Sequence, residues 1–204
     1  MRRLTLIRHG VTAWNRQGRF QGHSDVPLDE AGRVQAQRLG AHAGRLAPVD
    51  AVVTSPSLRA AETAEITFPG RPLTRDIRLR ELDFGVFEGR TLEENQAHPA
   101  WRWWAADPIG RPAPRGESYR GLQARAVAWL DEVRERGCDD HVVVFSHAGT
   151  IQMLLAHVLG IERPRWDVRL EVGHTSVSQV RYEDGLALVE RVNDVAHLDP
   201  EDAP

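Results

Sequence analysis

The sequence predicts an α/β fold, a three-layer α/β/α sandwich around a mostly parallel central sheet. Three observations lead there. The runs RLTLIR (3–8), DAVVTS (50–55) and HVVVFS (141–146) read as strands, and the outer two are nearly continuous apolar or β-branched stretches, as in strands covered on both faces. Segments with helical spacing separate them, the alternation that builds parallel sheets. The chain has 204 residues, 41% of them hydrophobic, which suits a single domain, 1–204, with a substantial core.

In chain order, 28–46 places Ala31, Val34, Leu39, Ala43 and Leu46 at helical spacing, with Asp29 as its N-cap. A second helix, 57–66, follows Pro56 directly. The segment 91–118 is short and ends in a Pro/Gly-rich stretch expected to be flexible. The next helix, 118–136, is capped by Ser118 and puts Leu122, Ala126, Trp129, Leu130 and Val133 on one face. The helix 148–160 is apolar nearly all round, so it should be buried, with Gly160 as its stop. TSVSQVRYEDGLALVERV reads as two strands around Asp184-Gly185, a type I′ hairpin. The acidic, proline-punctuated tail 196–204 is expected to fray.

Composition excludes several classes. Charged residues make up 27% and the formal net charge is −3, which gives no footprint for nucleic acid or an anionic membrane. Cys138 is the single cysteine, so no intramolecular disulfide forms and a reducing compartment is expected. The N-terminal stretch reads as neither a signal peptide nor a membrane span, and no run approaches about 18 apolar residues. A cytoplasmic location follows as the expectation. His23, His42, His98, His141, His157, His174 and His197 are scattered without a metal-ligand pattern, so no metal site and no cofactor are expected.

In parallel sheets, ligands bind outside the carboxyl ends of the strands. Three such ends carry polar groups here. Arg8 and His9 follow the first strand and Gly10 lets the backbone approach a ligand. Ser55 and Pro56 follow the second, with Arg59 in the first turn of the next helix. Ser146 and His147 follow 141–146, ahead of a helix start whose amides favour an anion. Glu81 stands between Leu79/Leu82 and Gly85. Each residue alone is uninformative; together they suggest phosphoryl chemistry. Arginine forks match phosphate oxygens. Fixed cations stabilise the charge on a transferring phosphoryl group. A neutral imidazole attacks in line, and a carboxylic acid protonates the leaving alkoxide.

LIRHGVTAWN, TSPSLRAAETA, RELDFGVFEG and VVVFSHAGT, in that order, resemble the motif series of the histidine phosphatase (phosphoglycerate mutase-like) superfamily, and GHTSVSQVRYEDG resembles its late strand pair. The resemblance implies His9 as the phosphorylated nucleophile, Arg8, Arg59 and His147 as phosphoryl ligands with His147 as an imidazolium, and Glu81 as proton donor and then base. It implies Asn15 as a further phosphate ligand, with Gln21 and Gly22 at the substrate rim. His9 has to be neutral to attack, and its unperturbed pKa of about 6.5 leaves it mostly so at pH 7. Glu81 has to hold a proton when the ester breaks, and a bound dianion favours that form.

These residues lead to a metal-independent phosphomonoesterase acting on a small phosphorylated metabolite at a slightly acidic to neutral optimum. The alternatives are a phosphoglycerate mutase and a non-catalytic phosphate-binding module. Mutases, as the resemblance implies, carry longer segments after the Glu motif, and the short 91–118 favours hydrolysis. In WRWW (101–104), Trp101 and Trp104 are i, i+3 and read as core. Trp103 points elsewhere and, with Phe20, Phe84 and Phe87, offers an apolar wall for an organic leaving group. An exposed tryptophan patch would favour a homodimer.

Overall fold

The computed structural model describes residues 1–46, 48–137, 140–161 and 170–199. The elements run β1 (Arg3–Arg8), α1 (Ala13–Arg16), α2 (Glu30–Ala41), β2 (Ala51–Thr54), α3 (Leu58–Thr67), β3 (Leu73–Arg75), α4 (Leu92–Gln96), α5 (Trp101–Ala105), α6 (Tyr119–Arg136), β4 (His141–Ser146), α7 (Ala148–Val158), β5 (Val177–Glu183) and β6 (Leu186–Asp194), with short 3-10 turns between some of them. One six-stranded sheet has the order β3-β2-β4-β1-β5-β6. Its first four strands are mutually parallel, and β5 and β6 add antiparallel pairs.

Side chains on alternate positions of β1 and β4 enter different cores. Leu4, Leu6, Val142 and Val144 pack with Trp129, Leu130, Ile151, Leu154 and Leu155 from α6 and α7. Ile7, Val143 and Phe145 pack with Leu39 and Ala64 from α2 and α3 on the other side. These two cores make the expected three layers. The caps are as expected as well: Asp29 and Ser118 accept from Gly32 N and Gly121 N. The hairpin turn has both Asp184 (φ 49°) and Gly185 (φ 81°) in the left-handed region, as a type I′ turn requires.

Four expectations are corrected. The helix over 28–46 breaks after Ala41. Gly40 and Gly44 are poor helix formers, and the His42 ring folds back to donate from Nδ1 to Arg38 O at 2.9 Å. The segment 91–118 is pinned rather than loose. Glu117 N donates to Asp83 O at 2.9 Å and Val86 N to Pro114 O at 3.1 Å, and the backbone of Gly116 lies against Asp83 and Gly85. The tail is held through Asp199, where Arg38 pairs with the Asp199 carboxylate at 2.7 Å and His197 meets Thr175 Oγ1 at 2.9 Å; 200–204 and Cys138 lie outside the described residues. Trp103 is half exposed with Arg111 stacked on it at 5.2 Å, so it is not the wall of a cleft shared with the phenylalanines.

The aromatic groups instead form a third core. Trp104 and Phe87 are fully buried, Trp101 sits 5.2 Å from Trp104, and Phe20 meets Phe84 edge-on at 5.0 Å. Among the described residues, no helix is long and apolar enough to cross a membrane. Because Trp104 fills the centre of this cluster, Trp104→Ala should destabilise the protein by about 3–5 kcal/mol in urea unfolding, whereas Trp103→Ala should change stability by less than about 1 kcal/mol.

Candidate active site

Strand register assembles the site. Arg8 of β1 lies opposite Ser146 of β4, and Thr54 of β2 opposite Phe145. The ladder continues one residue further, with His9 N donating to Ser146 O at 3.0 Å and Ser55 N to Phe145 O at 2.9 Å. His9, Ser55 and His147 therefore leave the sheet at one level of its carboxyl edge. The His9 and His147 rings meet edge to face at 5.2 Å.

His9 is buried, and its Nδ1 lies 2.7 Å from Gly10 O. A carbonyl only accepts, so Nδ1 carries the proton and Nε2 carries the lone pair. Burial, then the charge of Arg59, pushes the pKa of His9 well below 6.5, so the ring is neutral over the physiological range. Gly10 serves a different purpose from the one expected. A Cβ there would stand 2.6 Å from Gly32 O, so the glycine lets α2 pack against the loop and not a ligand against the backbone.

Two guanidiniums flank this histidine. Arg8 donates to Val172 O at 2.7 Å and pairs with His174 Nε2 at 2.9 Å. Arg59, fully buried at the start of α3, donates to Ser24 O at 3.0 Å and Gly22 O at 2.8 Å. Burial lowers both to about 10, which leaves them cationic at neutral pH. In each, Nε is buried with no partner among the described residues, as are Gln21 Nε2 and His147 Nδ1. Four polar nitrogens without partners on the residues of one site are unusual, since buried polar groups are ordinarily paired.

His147 is fully buried, with Nε2 2.9 Å from Ser55 Oγ. Burial and the Arg59 charge push its pKa well below 6.5. In the protein alone the ring is thus held toward its neutral form, by burial first and then by the arginine charge, whereas the resemblance implied an imidazolium.

Glu81 receives Leu82 N at 2.8 Å on Oε1 and Gly149 N at 3.0 Å on Oε2. The amide in the first turn of α7, expected to meet a substrate anion, thus holds the enzyme's own carboxylate. A Cβ on Gly149 would lie 2.4 Å from Glu81 Oε1, so only glycine allows this approach. Arg125 of α6 fixes the backbone beneath it, donating to Arg78 O (2.7 Å), Arg80 O (2.7 Å) and Glu81 O (2.8 Å) while pairing with Glu117.

The remaining expected residues are placed differently. Asn15 accepts from Thr12 N at 3.0 Å through Oδ1 and closes the capping box of α1. Gln21 is buried rather than at a rim, and accepts from Thr12 Oγ1 at 2.8 Å. Gly22 supplies the carbonyl that holds Arg59 and packs tightly against Leu82 O. Sequence reasoning missed His174, Arg125, Gly149 and the role of Ser55. His174 lies in the GHTSV stretch 5.8 Å from the His9 ring, and its pKa is lowered to about 3, chiefly by burial and next by Arg8.

A buried neutral imidazole, two guanidiniums with no ion pair among the described residues and an anchored carboxylate gather at the carboxyl edge of a largely parallel sheet in an α/β protein. The chain belongs to the histidine phosphatase superfamily (branch 1), whose model matches residues 4–195. It is 36% identical, over 98% of its length and 96% of the relative's, to a Citrobacter koseri protein described as "Probable phosphoglycerate mutase GpmB". Among solved structures, the alpha-ribazole phosphatase from Shigella flexneri has a TM-score of 0.83 at 26% identity, covering 95% of this chain and 96% of that one. A mycobacterial glucosyl-3-phosphoglycerate phosphatase, solved in complexes with VO3, has a TM-score of 0.81 at 30% identity, covering 95% and 99%.

Two outcomes follow from this geometry. Gly149→Ala should displace the Glu81 carboxylate and lower kcat for phosphomonoester hydrolysis by about 10²–10⁴-fold, the usual weight of a proton donor, while the fold survives in circular dichroism. His174 is neutral when folded but takes up a proton below pH 6.5 when unfolded, so acidification favours the unfolded chain. Between pH 7 and 5.5 the wild type should lose about 1 kcal/mol more stability than His174→Gln in urea titrations.

Proposed function

We propose that the protein is a metal-independent phosphomonoesterase that cleaves a small organic phosphate through a phosphohistidine at His9. The observation that carries this reading is the unpartnered Nε atoms of Arg8 and Arg59 with Gln21 Nε2 and His147 Nδ1, beside a histidine whose Nε2 carries its lone pair.

In the first half-reaction His9 Nε2 attacks phosphorus, forming the P–N bond as the P–O ester bond breaks. The ring gains positive charge, and Gly10 O already accepts from Nδ1–H. Arg8, Arg59 and His147 stabilise the equatorial oxygens. Glu81, as the general acid, gives a proton to the departing alkoxide. In the second, the Glu81 carboxylate takes a proton from water as water attacks phosphorus, the P–N bond breaks, and orthophosphate leaves.

The relative named as a phosphoglycerate mutase favours a second reading. It matches this chain over nearly its whole length, so the shortness of 91–118 does not separate the two activities. Assays with p-nitrophenyl phosphate and with 3-phosphoglycerate do. We expect orthophosphate release from phosphomonoesters and no bisphosphoglycerate-dependent isomerisation of 3-phosphoglycerate; the reverse pattern would make the protein a mutase. His9→Ala should abolish turnover, and retained hydrolysis would exclude His9 as nucleophile. Because burial and then the Arg59 charge hold the His9 pKa well below 6.5, kcat/KM should show no acid limb from His9 near pH 6.5; an acid limb should instead follow the substrate's second ionisation, at about 6. Zn²⁺ or Mg²⁺ dependence with an alkaline optimum would contradict the mechanism.

A further inference from the structure

The two site imidazoles are held by partners of opposite character. His9 Nδ1 faces a carbonyl, which only accepts. His147 Nε2 faces Ser55 Oγ at 2.9 Å, and a hydroxyl either donates or accepts. The difference matters because a neutral imidazole has one N–H, and the nitrogen that carries it sets what the other end of the ring can do.

Ser55 is fully buried and rigidly placed, since its own amide extends the β2–β4 ladder. Its Oγ lies 3.3 Å from Ser57 Oγ and receives Ser57 N at 3.4 Å. Ser57 is the N-cap of α3 but makes no side-chain capping bond; the 3.3 Å contact fits Ser55 donating to Ser57 or, with the Ser57 hydroxyl turned, the reverse, and the reverse leaves the Ser55 proton for His147. The single Ser55 proton then goes to the shorter contact, the His147 ring. Nδ1 of that ring is buried with no protein partner. The opposite tautomer would set an Nδ1 lone pair against the lone pairs of a phosphoryl oxygen.

We propose that Ser55 is a positioning residue whose hydroxyl donates to His147 Nε2 and so fixes the tautomer in which His147 Nδ1–H is a hydrogen-bond donor to the phosphoryl group. The inference rests on the phosphatase reading for its catalytic consequence, but not for the tautomer itself. Two histidines 5.2 Å apart thereby take the same tautomer, Nδ1–H, for different ends: the partner of His9 bares a lone pair for attack, and the partner of His147 bares a proton for the oxyanion.

Two-bond ¹H–¹⁵N correlation spectra of the full chain labelled with [¹⁵N]histidine read this directly at neutral pH, with His147 assigned by its loss in His147→Asn. The expected wild-type pattern is a protonated, pyrrole-type Nδ1 and a pyridine-type Nε2. In Ser55→Ala the proton should redistribute toward Nε2, and kcat for p-nitrophenyl phosphate should fall roughly 10- to 100-fold, short of the loss on deleting an oxyanion donor outright. A wild-type spectrum with a pyridine-type Nδ1, or a folded Ser55→Ala with unchanged tautomer and kcat, overturns the proposal. The expected tautomers in a protein that hydrolyses no phosphomonoester would uphold the role of Ser55 on His147 and defeat the phosphatase reading instead.

Discussion

Two guanidiniums, the partly buried Arg8 and the fully buried Arg59, lie near each other with no carboxylate hydrogen-bonded to either among the described residues, and the site is organised around that constraint. Backbone carbonyls of Val172, Ser24 and Gly22 solvate them, which supplies dipoles but no opposite charge. Among the described residues Glu81 favours the charged form of both, with Asp25 and Glu88 adding to Arg59, and its carboxylate is bound to amides instead. Burying like charges is costly unless something compensates. On the proposed function, a phosphoryl dianion supplies what the protein leaves out. Burial first, and then the same positive field, keep His9 and His147 neutral, and on the proposed mechanism that keeps the nucleophile competent.

The scaffold adds position to this field. Parallel register brings three strand ends level, and the first turn of α7 binds a carboxylate belonging to the protein. The Gly149 amide there orients Glu81, so the helix N-terminus holds this carboxylate. Arg125 and Glu117 tie the Glu81 loop to α6, and the ordered 107–117 segment closes against Asp83 and Gly85. The acid and the nucleophile are thus held by different layers of the sandwich and meet at the sheet edge.

Much of this was legible in the sequence because local chemistry and global fold agree. The strands 3–8 and 141–146 are continuous apolar runs, and their polar ends name His9 and His147. Ser118, Asp29 and Asp184-Gly185 carry their caps and turn in their own side chains. What was not legible depends on contacts between distant segments. Gly149 reads as a small residue after a histidine until Glu81 arrives beside it. His174 is one of seven scattered histidines until β5 returns along β1. The charge of His147 follows from burial and neighbouring arginines, neither visible in SHAGT. The Pro/Gly content of 91–118 suggested looseness, yet those residues make tight backbone contacts.

Titration calorimetry of inorganic phosphate into the wild type and Arg59→Met tests the central electrostatic claim most directly. The account predicts one phosphate per chain in the wild type, with unfolding stability raised by about 2.7 kcal/mol at a hundredfold excess over Kd, and loss of that binding in the variant. Saturable binding that is indifferent to Arg59, or none at all, would contradict it.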